Sequence, residues 1–544
     1  MIQISLHKLG RLIISLSLTG LLTSCVDFNN ARPYYPDTPL ESWEVPQPEE
    51  TEIGQPKATV TDNLEKHNFQ FNGKDSLIGK LAIVQLREGD TLLDIARHFG
   101  LGYQHIVEAN PGVDLWVPQT GTRVVLPLQF VMPEAKHEGV VINLATMRLF
   151  YFKPGKQTAL STWPVGIGRE GRSSPLGAMA VVRKMQHPTW YVPESIRKTH
   201  AEQGDPLPSV VPPGPDNPLG DYALYLSKAS YLIHGTNKPF SIGLRASNGC
   251  IRLYPEDIEL AFKAIPANTP VQIVNQPYVI GWLNGGLYLE VHEPYEEVDA
   301  DAEKKNLIDK LHGMEKQLQQ KIDWPKVEET LKKQRGIPTP IFVNTPSLKE
   351  IIASAPQLER PTQLLGQPEK AEIGKAGWFV RTDQTEDAYR AKKLVAQLNH
   401  LGPRIPAYTV VQNNRYQVMG GPFTQEQAAR KAQNALLEDF DTKSEIVKPD
   451  KDYVPPKPSA NPVAKKTDKA EPVKPVKQTT VQPVAAEPAK TAPKPETAKT
   501  ETTKPVKVEA DKPLDWIDQE KAKNPPKTVE KKPRLIILKM PNAM

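Results

Sequence analysis

Proline limits what this chain can fold into more than any other residue. It supplies 54 of the 544 positions, against 33 glycines. A ring nitrogen cannot donate to a helix or to an inner sheet ladder. The prolines therefore divide the chain into extended stretches and modest globular pieces. Residues 448–532 are the extreme case, built mostly from Pro, Lys, Ala, Thr, Val and Glu. Within 451–500 ten lysines stand against five acidic residues. Such a composition cannot bury enough apolar surface to offset chain entropy, so the segment is expected to be a disordered tail. Residues 25–79, rich in Pro, Glu and Asp, read as a disordered tether, and 346–372 as a linker. Residues 533–544 turn apolar again and are expected to fray or to add as a strand. The length calls for three or four domains. A net charge of +5 spread over such a chain does not argue for nucleic acid.

The two cysteines, Cys25 and Cys250, are placed very differently. His7, Lys8 and Arg11 precede an apolar run from Leu12 to Leu22. That run is too short to span a membrane and suits a signal sequence over 1–24. Leu22-Thr23-Ser24-Cys25 then resembles the lipobox of bacterial lipoproteins. The resemblance implies a Cys25 that is diacylated and becomes the new N-terminus. Burial of ~0.8 kcal/mol per methylene makes two chains a stable membrane anchor. Val26 in place of Asp implies, by the sorting rule of that family, the outer membrane of a Gram-negative bacterium, facing the periplasm. Cys250 is then the one remaining thiol in an oxidising compartment, a liability unless it is buried or needed.

Three windows carry periodic patterns. In the first, 80–130, Leu92, Ile95, Ala96 and Phe99 fall at helical spacing, with Asp90 or Thr91 as cap and Gly100 or Gly102 as stop. A second short helix runs into Asn110-Pro111-Gly112, between strands at Leu81–Gln85 and Thr122–Pro127. GDTLLDIA, ANP and GTRVVLP in this order resemble the LysM domain, which implies binding to N-acetylglucosamine-containing glycan strands. The window 137–276 is strand-rich, opening with a hairpin of 140–144 and 148–152. Residues 277–345 follow as an extension with helices. In the window 373–447, Trp378–Arg381 reads as a strand, and Tyr408–Val411 pairs with Arg415–Val418 across Asn413-Asn414. Ala391, Leu394, Val395 and Leu398 make one helical face; Ala428, Ala432, Ala435 and Leu436 make another. These halves, with YQVMGGPF between them, resemble the SPOR domain, implying a further peptidoglycan contact.

The stretch that carries chemistry is Tyr231-Leu232-Ile233-His234-Gly235-Thr236-Asn237, followed by Ala246-Ser247-Asn248-Gly249-Cys250-Ile251-Arg252-Leu253. Apolar residues lead into the histidine and follow the cysteine, so both are expected at strand edges. Attack on an amide needs a thiolate, and a free thiol near pKa 8.5 is mostly protonated at neutral pH. An adjacent imidazole can take that proton and return it to the leaving amine. No carboxylate lies nearby in sequence to orient the imidazole, so a backbone carbonyl is the candidate. Gly249 allows close approach of the substrate. The amides of Gly249 and Cys250 are expected to face the oxyanion, and Arg252 to offer a fork for a substrate carboxylate.

HGTN and SNGCIRL, with SSPLGAM, HPTWYVP and VVPPGPDNPLG before them, resemble the L,D-transpeptidase catalytic domain, also called the YkuD domain. Together with the LysM-like unit they are similar to the enzymes that attach the Braun lipoprotein to peptidoglycan. The resemblance implies a β-sandwich-like fold without metal or cofactor. It makes Cys250 the nucleophile, His234 the base and the Gly235 carbonyl the third member. Ser247, Asn248, Gly249 and Arg252 fall on the family's loop. The implied reaction opens a stem tetrapeptide at diaminopimelate, releases D-alanine, and passes the acyl group to an amine. That amine is a second diaminopimelate, giving a cross-link, or a lysine of an outer-membrane lipoprotein, giving a tether. Two alternatives stay open: an amidase of the same fold, with water as acceptor, and a non-catalytic lipoprotein that clamps the wall. The expected architecture is multidomain, a mostly-β catalytic domain flanked by small α+β modules and disordered linkers.

Overall fold

The computed structural model describes residues 59–60, 65–155, 158–202, 206–368, 376–401 and 404–448. The signal sequence, Cys25, the tail beyond 448 and the apolar segment 533–544 lie outside the described residues.

A nine-stranded sheet organises the catalytic region. Its order is Ile251–Arg252, Leu232–His234, Tyr222–Leu226, Gly177–Gln186, Pro270–Val274, Gly139–Asn143, Arg148–Phe152, Ala159–Pro164 and Asn68–Gln70. The inner hairpin pairs Ile142 with Leu149 and Val140 with Tyr151. Both of its strands are buried throughout, which is why they read as continuous apolar runs rather than alternating ones. One face, carrying Val140, Ile142 and Leu149, packs on Ile233, Ile251, and Ile258 and Ala261 of the helix Pro255–Ala264. The other face, carrying Val141, Phe150 and Leu160, packs on Leu92, Ile95 and Phe99. Each such side chain contributes about 1.5–3 kcal/mol by leaving water.

Those last three belong to the N-terminal unit, whose helices are Leu92–His98 and Tyr103–Ala109. Thr91 caps the first, its side chain accepting from the Asp94 amide at 3.1 Å. Strands Ala82–Gln85 and Arg123–Leu126 pair antiparallel beside them.

Two sequence expectations fail here. Residues 25–79 were expected to be a disordered tether throughout, yet Asn68–Gln70 closes one edge of the large sheet and Leu77–Gly79 pairs with Gln129–Val131. Residues 346–372 were expected to be a linker, yet Ser347 and Glu350 form a capping box on the helix Leu348–Ser354. The strand Gln357–Leu358 then joins the sheet of the N-terminal unit, parallel to Ile83–Val84. The buried Arg360 guanidinium pairs with Asp90, with Nε 3.0 Å from Oδ2. Strands of two or three residues are too short to show a period, so their backbone partners, far off in sequence, decide their structure.

Beyond the catalytic sheet a hairpin, Tyr278–Leu283 with Gly286–Val291, is covered by helices Ala300–Leu318 and Trp324–Lys333. The last described unit has sheet order Ala407–Gln412, Arg415–Phe423, Trp378–Thr382 and Ser444–Val447. Asn413 and Asn414 turn its hairpin with φ of 51° and 60°, as a primed turn requires. Its second helix, Glu426–Phe440, buries Ala429, Ala432 and Leu436 and leaves Ala428 exposed. The inward stripe thus begins one residue later than the sequence pattern predicts.

Candidate active site

His234 ends a strand that pairs in parallel with Ile251–Arg252, Ile233 opposite Ile251 and His234 opposite Arg252. Cys250 immediately precedes that partner strand, which sets it level with Leu232, two residues back along the ladder from His234 and by strand alternation on the same face. The Leu253 amide donates to the His234 carbonyl at 2.9 Å and fixes the register. The imidazole is buried, 3% exposed. Its Nδ1 lies 2.6 Å from the Gly235 carbonyl. A carbonyl only accepts, so Nδ1 carries the proton and Nε2 is left as the basic nitrogen. The Leu219 carbonyl also favours the protonated ring.

Cys250 is half-buried, and its Sγ donates to the Ser230 carbonyl at 3.7 Å. The loop before it is held from within. Ser247 Oγ donates to the Cys250 carbonyl at 2.6 Å and accepts from the Gly249 amide at 3.1 Å. Gly249 sits at φ 106°, and a Cβ there would meet Tyr231 Cε1 at 2.9 Å. Only glycine satisfies both conditions. Asn248 Oδ1 accepts from Arg169 Nη2 at 3.2 Å.

Two roles assigned from sequence need correction. The Gly249 amide was expected to face an oxyanion, but it is already bonded to Ser247, which leaves the Cys250 amide as the loop's candidate donor. Arg252 was expected to offer a carboxylate fork, but it is only 5% exposed. Its guanidinium acts on its neighbours by charge.

Sequence reasoning missed Asn217, which is 1% exposed. Its Nδ2 donates to the carbonyls of Pro188 at 2.8 Å, Pro212 at 3.1 Å and Val211 at 3.3 Å, while Oδ1 accepts from the Leu219 amide at 2.9 Å. It thereby closes the base of the excursion 188–212, which carries the helix Glu194–Glu202, and aims Leu219 at His234. The sequence signal was Asp216-Asn217-Pro218, which lies within the VVPPGPDNPLG stretch. It also missed Arg169 and Arg172 on the loop facing Cys250, three residues apart around Gly171.

The profile of the L,D-transpeptidase catalytic domain matches residues 137–273, and that of the SPOR domain matches 374–447. The probable L,D-transpeptidase ErfK/SrfK of Salmonella typhimurium is 38% identical over 50% of this chain and 90% of its own length. This chain belongs to the L,D-transpeptidase family. The probable L,D-transpeptidase YbiS of Escherichia coli is 38% identical over 48% of this chain and 87% of its own, and YcfS of that organism is 41% identical over 40% and 69%. These alignments reach half of this L,D-transpeptidase or less.

The charge state of the L,D-transpeptidase site follows from burial. Burial, with the Arg252 guanidinium beside it, lowers the His234 imidazole to about 3, against the pull of the Gly235 and Leu219 carbonyls. Burial pushes the Cys250 thiol up, while the Leu232 backbone and Arg252 work the other way. Burial brings Arg252 itself down to about 10, still a cation at neutral pH. The resting pair is therefore neutral thiol and neutral imidazole, with one fixed positive charge alongside.

Proposed function

We propose that this protein is a peptidoglycan L,D-transpeptidase whose nucleophile is Cys250 and whose base is His234. Nε2 takes the thiol proton as Sγ leaves Ser230 and attacks the diaminopimelate carbonyl of a stem tetrapeptide. The oxyanion forms against the Cys250 amide. The imidazolium then gives its proton to the departing D-alanine amine, and a thioester remains. An acceptor amine attacks the thioester, loses a proton to Nε2, and releases the thiol with the new amide formed. Preorganised donors and a held tautomer carry the rate. Arg252 favours the thiolate and disfavours the imidazolium, so the ion pair is reached in the course of reaction rather than at rest.

The observation that carries this reading is the 2.6 Å contact of His234 Nδ1 with the Gly235 carbonyl, which leaves Nε2 basic beside the Cys250 strand. The acceptor is a second diaminopimelate or the lysine of an outer-membrane lipoprotein. The SPOR domain holds glycan strands, and the strand–helix–helix–strand unit is read as LysM-like. Cys25 lipidation would anchor the chain to the outer membrane on the periplasmic side. Weak wall-binding units on one chain raise the effective concentration of the polymer.

The test is mass spectrometry of muropeptides after incubating purified sacculi and a lysine-ended lipoprotein peptide with the protein or its Cys250→Ala variant. New diaminopimelate cross-links, or muropeptides joined to the lysine, made only by the parent are expected and identify the acceptor. Shortened stems without new bonds mean hydrolysis, and no difference between the two proteins refutes catalysis.

A further inference from the structure

With Arg252 enclosed, the cations that face the Cys250 loop are elsewhere. The segment 167–174 is strapped along that loop. Ile167 and Gly168 pair in parallel with Arg245 and Ser247. The Arg169 amide donates to the Ser247 carbonyl at 2.9 Å, and the Gly168 amide to Ser174 Oγ at 3.0 Å. The carbonyls of Ser173 and Arg172 lie 3.4 and 3.6 Å from where a Gly249 Cβ would stand. Arg169 reaches over the loop to Asn248, and Arg172 Nη2 reaches Thr199 Oγ1, at 3.5 Å, on the helix Glu194–Glu202.

Both guanidiniums are half-buried. Among the described residues neither forms an ion pair, and the partners they do have are a neutral amide and a hydroxyl. The acidic groups close by are committed or exposed. Glu297 and Glu296 pair with Arg245 at 2.5 and 2.6 Å, and Glu297 also accepts from Ser173. Glu170, between the two arginines, is exposed. Partial burial of neighbouring like charges without a counter-charge is unfavourable, and an anion between them would relieve it. Planar forks select a carboxylate.

We propose that Arg169 and Arg172 form a carboxylate subsite at the rim of the Cys250 loop, which takes a carboxylate of the donor stem peptide. The inference rests on the transpeptidase reading above. Two carboxylates of such a donor lie near the scissile amide: the second carboxyl of diaminopimelate and the C-terminal carboxyl of D-alanine. Either supplies the same chemistry to the two forks.

The experiment uses the full chain and soluble tetrapeptide donors: the free acid, one amidated at the diaminopimelate side carboxyl, and one carrying D-alanine amide. For Arg172→Gln, KM for the free acid is expected to rise about tenfold or more, with kcat changing much less. Arg172→Lys should recover part of that loss. One of the two amidated donors should bind the parent as weakly as the variant binds the free acid, and be insensitive to the substitution; that donor identifies the carboxylate. Arg169→Gln gives the same pattern if the site is shared. Alkylation of Cys250 by uncharged iodoacetamide should run at the parent rate in each variant, which separates lost binding from a disordered loop. A parent with no turnover on any donor overturns the transpeptidase reading itself. A parent that turns over, with both glutamine variants keeping its KM or losing equally on all three donors, overturns the subsite alone.

Discussion

Replacing His292 with leucine should weaken the junction between the N-terminal unit and the hairpin that follows the catalytic sheet. The imidazole is 1% exposed and bridges two carboxylates, with Nδ1 2.8 Å from Glu108 Oε2 and Nε2 2.9 Å from Glu290 Oε1. Glu108 lies on the helix Tyr103–Ala109, whereas Glu290 lies on the strand Gly286–Val291 and also accepts from the Val131 amide at 2.7 Å. Burial disfavours the imidazolium, but Glu108 and Glu290 outweigh it and raise the group to about 10. The unfolded value is near 6.5, and a difference of about 3.5 units at 1.36 kcal/mol each is about 5 kcal/mol as an upper bound. Removing one partner of a buried pair costs about 3–5 kcal/mol by independent reckoning. Glu108 keeps some solvent, its side chain being 17% exposed, so the lower end is expected. Because the folded pKa lies above the unfolded one, this stability is fully present below about pH 6.5 and is lost as pH rises through about 10. Urea unfolding followed by circular dichroism should place His292→Leu about 3 kcal/mol below the parent at pH 7. The gap should narrow at pH 10.5, where the parent has lost its proton. A variant within about 0.5 kcal/mol of the parent at pH 7, or a gap that ignores pH, would refute the reasoning.

Two further outcomes follow from the active site. Because burial holds the thiol up and the imidazole down, the alkylation rate of Cys250 should keep climbing through pH 8 and beyond; a plateau already reached by pH 6 would mean a resting thiolate–imidazolium pair. Asn217→Ala strips donors from three carbonyls at the base of the excursion 188–212, at about 1–3 kcal/mol for a buried group left unsatisfied. It should lower kcat about tenfold and speed proteolysis within 188–212, and parent-like values in both assays would show that Leu219 is positioned by something else.

How much of this was legible in the sequence depended on whether the signal was local. The apolar run of 140–142 and the helical spacing of Leu92, Ile95, Ala96 and Phe99 are local, and each forms the element its pattern implies. His234 and Cys250 could be picked out because each stands beside an apolar strand residue, Ile233 and Ile251, and those two pair directly. The rest depends on distant partners. Nothing in Glu290-Val291-His292-Glu293 announces a buried cation, since one of its counter-charges, Glu108, comes from 184 residues away. Arg252 looked like a substrate fork because its exposure is set by the sheet, not by its neighbours in sequence. Gln357–Leu358 looked like linker because two residues have no period, and the waiting edge of Ile83–Val84 decides the matter.

These distant contacts make the N-terminal unit part of the catalytic body rather than a module on a string. At its closest approach the contact is backbone on backbone. The Tyr103 amide donates to the Ile242 carbonyl at 2.9 Å and the Gln104 amide to Gly243 at 3.2 Å. A Cβ on Gly243 would stand 2.2 Å from the Tyr103 nitrogen, at a φ of 83° that already favours glycine. Gly243 lies two residues before the strand Arg245–Ser247, which runs straight into Cys250. The Gln104 side chain accepts from the Tyr295 hydroxyl at 2.8 Å, and Arg245 lies over the Tyr295 ring at 4.6 Å. The first turn of the helix Tyr103–Ala109 thus sets the start of the nucleophile loop through two backbone hydrogen bonds and one aromatic ring. Side-chain loss on the outer surface of the N-terminal unit leaves that path intact, whereas a single methyl group at Gly243 breaks it. The influence of this unit on catalysis therefore runs through backbone geometry, independently of whatever its outer surface binds.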